Sequence, residues 1–225
     1  MRVVTVSAAR LAGYARLGAY WLTIGVEDRL DNLSARLTPV AAKLEAAASM
    51  PGDPVMFGAT AHRFRLGPPL PEDGVVAFEE RHGVGLPVDY RGFITMVGHG
   101  GPGRFGGAGP FYGLHSLEDW DMGLWGLPDT TTLARPFPAE PGRVYEDWLA
   151  EVAPGDEDEP YCGTVALSDQ GCGYLSLLVV SGPARGRVID NCESKEGPVF
   201  TGDRDFLSWY ERWLDAVLAG ERHFR

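Results

Sequence analysis

Apolar residues along this chain change their spacing from one segment to the next, and the spacing predicts the elements. Tyr90, Phe93, Ile94 and Val97 fall at i, i+3, i+4 and i+7, a single helical stripe opened by Leu86-Pro87 and ended by Gly98. An earlier helix is expected from about Glu72 to Arg81, with Val75, Val76 and Phe78 apolar. Glu72 and Asp73 lie in its first turn, where acids suit the dipole, and Gly83 is placed as its C′ residue. Pro68-Pro69-Leu70-Pro71 leads into it as extended chain, because residues before proline avoid the α region. The last helix is expected from about Asp203 to Ala219, with Phe206, Tyr210, Trp213, Leu214 and Val217 on one face and Gly220 after it.

Between these helices the period shortens. Thr164–Ser168, Tyr174–Val180 and Arg187–Asn191 read as strands joined by short glycine-containing links, hence antiparallel hairpins. The run Leu177-Leu178-Val179-Val180 suits a central strand covered on both faces. Pro110–Leu114 is a further strand candidate after a glycine-rich loop at 98–109, and Ser116 is placed to cap a short turn through Trp120. Residues 121–160 read as an irregular insertion, with an amphipathic piece at Tyr145–Val152 and a solvated acidic run at Asp156–Glu159. Residues 1–60 read as a peripheral helical extension. In it Ser34 caps a segment through Leu37, Val40, Ala41, Leu44 and Ala48, with Pro39 in the first turns. Helices, a meander and a helix predict an α+β domain over 61–225, with an antiparallel sheet of about four to six strands.

Composition narrows the function classes. A hydrophobic share of 44% with 11% aromatics is globular rather than disordered. The net charge of −11 disfavours nucleic acid and anionic membrane surfaces as partners and favours a basic one; it also serves solubility. Three widely spaced cysteines, Cys162, Cys172 and Cys192, are no disulfide framework and suit a reducing compartment. Arg10 and Arg16 interrupt the early apolar runs, and Leu17–Val26 is too short to span a bilayer. A cytoplasmic protein is the expectation, as a monomer or weak dimer.

Candidate chemistry is sparse. Gly98-His99-Gly100-Gly101-Pro102-Gly103 satisfies G-x-G-x-x-G, but it follows a helix where a dinucleotide site needs a preceding strand. The structural reading is a helix cap and a wide turn. The cysteines with His99 and His115 lack the close pairs of structural zinc sites, so no metal and no cofactor is expected. Ser168-Asp169 has no nucleophile elbow around it, and Asp169 is better placed to fix a hairpin turn through its own backbone. Two enzyme readings stay open: a reactive Cys172, and acid–base work by the carboxylates Glu118, Asp119 and Asp121. Tyr112, Trp120 and Trp125 border loops rich in glycine and acids, so each is either a binding anchor or a plug at the end of the sheet.

In this order the elements resemble the SUKH superfamily, the Smi/Knr-type domains. The resemblance rests on Phe78-Glu79, then Leu86-Pro87-Val-Asp-Tyr90-Arg-Gly-Phe93, then His99-Gly100-Gly101. It continues through Phe111-Tyr112-Gly113-Leu114, Gly171-Cys172-Gly173-Tyr174 and Phe206-Leu207-Ser-Trp209, covering roughly residues 66–220. His99 stands where the family often has asparagine. The resemblance implies a non-enzymatic protein-binding module: a bacterial immunity protein that neutralises a toxin domain, a basic nuclease among the candidates. A regulatory or scaffold role without a toxin is the alternative. The face expected to bind a partner is built from Gly100, Gly101, Tyr112, Trp120, Trp125, Asp169 and Cys172.

Overall fold

A computed structural model describes residues 26–101, 106–117, 132–152, 159–191 and 197–224. The fold is α+β. Helices α1 (Val26–Ala48), α2 (Ala59–His62), α3 (Glu72–His82) and α4 (Val88–Met96) come first, and a short α5 (Trp148–Val152) follows. Strands β1 (Thr164–Gly171), β2 (Tyr174–Val179), β3 (Val188–Asp190) and β4 (Val199–Phe200) form one antiparallel meander in sequence order. Helix α6 (Phe206–Leu218) closes the chain.

α3, α4 and α6 match their apolar periods to within three residues at each end. α3 ends where Gly83 takes up a left-handed φ of 62° and returns its N–H to the Glu79 carbonyl. α6 begins at Asp205, whose carboxylate accepts from the Ser208 N–H at 2.9 Å. Rings from α4 and α6 interlock, with Phe93 edge-on to Tyr210 at 4.7 Å and to Phe206 at 5.2 Å between centroids.

α1 differs from expectation. It starts before Ser34 and runs through Pro39, which therefore lies in the helix interior rather than in a first turn. Burial explains why it tolerates the lost N–H. Leu33, Leu37 and Val40 are buried in the same core as α4, α6 and the sheet, and α1 packs chiefly on α6. At Gly92 the α1–α4 approach is so close that a Cβ would stand 2.7 Å from Leu33 Cδ2. The N-terminal helix thus shares the core instead of lying on its surface.

In the sheet, Leu175 through Val180 are consecutively buried, so both faces of β2 are covered. The Pro110–Leu114 strand does not form. Phe111 sits at a φ of 54°, Gly113 N–H closes a turn on the Pro110 carbonyl, and only Leu114 bridges, to Gly107 and Ser168. Residues 106–117 therefore lie as a tight loop along the free edge of β1. No helix among the described residues is long and apolar enough to cross a membrane.

A buried charge network fastens α3 to α4. Arg91, 1% exposed, donates from Nε to Glu79 Oε1 at 3.2 Å and pairs through Nη2 with Glu72. Glu79 Oε1 also accepts the Leu86 N–H at 2.8 Å, which sets the entrance to α4. A charge this deep is held by its partners, not by solvent.

Candidate functional site

The β1–β2 turn is two residues long. Cys172 and Gly173 have φ of 57° and 85°, the double positive φ of a type I′ hairpin, between the paired residues Gly171 and Tyr174. Asp169 acts as expected on its own backbone, its Oδ1 accepting the Gly171 N–H at 2.6 Å. Asn191 clamps the other side: Oδ1 accepts the Leu175 N–H at 2.5 Å and Nδ2 donates to the Gly173 carbonyl at 3.1 Å. Behind the tip, Gln170 Nε2 and Ser176 Oγ both donate to Asp190 Oδ1, at 2.6 and 2.8 Å. Burial still pushes the Asp190 carboxyl up, against those two bonds and the field of Arg212. The tip is rigidly mounted.

The 106–117 loop brings Tyr112 to this hairpin. Its N–H donates to the Asp169 carbonyl at 3.1 Å, and its ring lies 3.3 Å from where a Cβ on Gly171 would stand. Phe57 packs edge-on against Tyr112 at 5.1 Å and stacks near His223 at 6.2 Å. The Phe57 N–H donates to the Arg222 carbonyl at 2.8 Å, which ties the C-terminal tail to the same spot. Phe224 anchors that tail under Arg212, whose guanidinium lies 4.2 Å over the ring, and beside Phe111 and Trp209. The outer surface is open: Phe57 is 40% exposed and Tyr174 41%, and Cys172 at the hairpin tip is exposed as well.

Of the residues singled out from sequence, Tyr112, Asp169 and Cys172 are brought together here. Gly100 and Gly101 lie at a close backbone crossing. The Gly100 carbonyl accepts the Gly67 N–H at 2.9 Å, and a Cβ on Gly101 would fall 2.3 Å from Gly107 Cα. His99 is buried beside them, its Nε2 accepting the Leu117 N–H at 2.9 Å. Trp120, Trp125, Glu118, Asp119, Asp121 and Cys192 lie outside the described residues. Cys162 is buried, with its thiol pushed up by desolvation. Among the described residues no three His, Cys, Asp or Glu side chains are grouped to hold a metal ion.

Phe57 and His223 were not visible as site residues in the sequence. Phe57 stands alone after a proline-rich stop, and His223 lies beyond the last helix. An aromatic stranded outside any periodic element is the one signal that marks both neighbourhoods.

Comparison with known proteins adds nothing to these observations: no family model matches, and neither a curated protein nor a solved structure is significantly similar.

Proposed function

We propose that this protein is a non-enzymatic protein-binding module of the SUKH type, acting in the cytoplasm as an immunity protein that binds and neutralises a toxin domain. The observation that carries the reading is the aromatic face at the β1–β2 tip. Phe57 and Tyr112 present ring surface on a rigid mount, and rigid aromatics with water-excluded edges are what binding hot spots are made of. The order of elements over residues 66–220 supports the family reading. The charge of −11 supports a basic partner, which complementary charge would steer to the surface.

Tyr112 and Phe57 would be the central anchors, with Cys172, Gly173 and Tyr174 as the adjoining rim and the acidic remainder giving long-range attraction. The product of the gene beside this one, co-expressed with it, tests the assignment. Copurification of that product, with its toxicity suppressed, is expected. A neighbouring gene product that neither binds nor is neutralised would overturn the immunity role.

A further inference from the structure

At the opposite end of β2 from the hairpin tip, a groove of about 590 Å³ opens between the start of α4, the start of α6, α1 and the β2–β3 loop. That volume is within the range of small-molecule sites. Three arginines line it, Arg36 from α1, Arg185 from the β2–β3 loop and Arg204 just before α6, against two acids, Asp89 and Asp205. This is a net positive spot on a chain whose overall charge is −11.

The hydrogen bonds show which partners are left over. Asp205 Oδ1 is filled by Arg36 Nη2 at 2.7 Å and by the N–H and hydroxyl of Ser208 at 2.9 and 2.7 Å. Asp89 Oδ2 accepts the Leu207 N–H at 3.1 Å. Both carboxylates are thus engaged in starting α6. Each guanidinium, by contrast, carries five N–H donors. Arg36 uses Nη2 on Asp205, Arg185 uses Nη2 on the Gly85 carbonyl at 2.8 Å, and Arg204 uses Nε on Ser208 Oγ at 3.2 Å, with Asp205 Oδ2 at 3.4 Å. Among the described residues no carboxylate lies within ion-pair distance of Arg185. The groove is rich in charged donors and short of acceptors.

Two further features act in the same direction. α4 opens on Pro87, which provides no side-chain cap, so the positive end of that helix borders the groove. Desolvation pushes the Arg185 guanidinium down, only partly offset by the fields of Asp89 and Glu79, as expected of a cation whose counter-charge is incomplete. Burial likewise pushes the Asp89 carboxyl up, against the Leu207 N–H bond and the field of Arg36.

We propose that this groove is a binding site for a small multivalent oxyanion, a phosphate- or polycarboxylate-bearing molecule held by Arg185 and Arg204 with Arg36 behind them. Planar guanidiniums match both groups bidentately. Leu33, Pro87 and Val88 supply the apolar wall and no ring for a base to stack on, which favours a compact anion over a nucleotide. The site is independent of the hairpin-tip face and of the immunity reading.

Calorimetric titration with inorganic pyrophosphate and with citrate, each at ionic strength fixed with sodium chloride, tests it. At least one anion is expected to bind the full chain, with Kd weakened tenfold or more by Arg185→Ala and by Arg204→Ala. Arg143→Ala, an exposed arginine elsewhere, should leave Kd unchanged. Pyrophosphate alone binding assigns a phosphate ligand, citrate alone a polycarboxylate, and both assign the shared oxyanion chemistry. No binding of either anion, or equal binding by wild type and both groove variants, would overturn the proposal.

Discussion

The backbone N–H of Tyr112 donates to the carbonyl of Asp169 across 3.1 Å, joining an aromatic loop to the tip of a hairpin 57 residues later in the chain. This bond fixes the Tyr112 ring beside Gly171 and against Phe57 without using any side-chain polar atom. The two rings therefore meet at the tip, where Phe57 is 40% exposed. Tyr112→Ala and Phe57→Ala should each weaken partner binding tenfold or more, about 1.4 kcal/mol, because rigid aromatic anchors dominate such interfaces. Both variants should keep the wild-type circular dichroism spectrum, since neither ring is in the buried core. Unchanged affinity in both would place the binding face elsewhere.

Cys172 occupies the first position of a type I′ turn at a φ of 57°, which a cysteine adopts at a cost and an asparagine adopts readily. Cys172→Asn should stabilise the fold by about 0.5–1 kcal/mol, read as a small rise in Tm. The same variant separates two roles for this position. Retained partner binding together with the raised Tm means that turn geometry is what matters there, whereas a function lost in a variant folded at least as stably would favour thiol chemistry.

What the sequence made legible is what repeats locally. α3, α4 and α6 each carry a stripe at helical spacing, and the hairpins announce themselves through glycine between β-rich runs. The start of α1 was harder, because Ser34 and Pro39 imitate a cap and a first turn in what is a continuous helix. Phe111 defeated the strand reading for the same kind of reason, since a positive φ on a β-favouring residue has no local marker. The candidate site was only half legible. Tyr112 and Asp169 lie beside turn residues, but Phe57 and His223 reach the site from segments more than 160 residues apart, and juxtaposition over that distance leaves no spacing to read.

His62 is 1% exposed, and its Nδ1 accepts the Phe64 N–H at 3.1 Å, closing a turn in which Arg63 and Phe64 both have left-handed φ. Burial lowers its pKa from 6.5 to about 4, opposed only in part by a backbone bond to Gly109. The unfolded chain then binds the proton first as pH falls. His62 contributes its stability above about pH 6.5 and loses it progressively as pH drops through about 4, a change of about 3 kcal/mol. His62→Asn keeps an acceptor for Phe64 and does not titrate. Denaturant unfolding of the two proteins across pH 4–7 should show a loss in wild type that the variant lacks; parallel curves would contradict this account.

Arg91 is the cation on which Glu79 depends inside the α3–α4 junction. Arg91→Met leaves Glu79 buried without its ion pair and should destabilise by about 3–5 kcal/mol in denaturant unfolding. A cost below about 1 kcal/mol would mean that solvent, and not Arg91, neutralises that carboxylate.

The central claim is that the Phe57–Tyr112 face is where a basic protein partner is bound. Its most direct measurement is the affinity of the co-encoded neighbouring protein for wild type and for the Phe57→Ala/Tyr112→Ala double variant, by calorimetry at low and high salt. The account predicts a one-to-one complex with wild type, weaker at high salt, and a loss of affinity of a hundredfold or more in the double variant. A complex of equal strength in both proteins, or a wild-type affinity indifferent to salt, would contradict it.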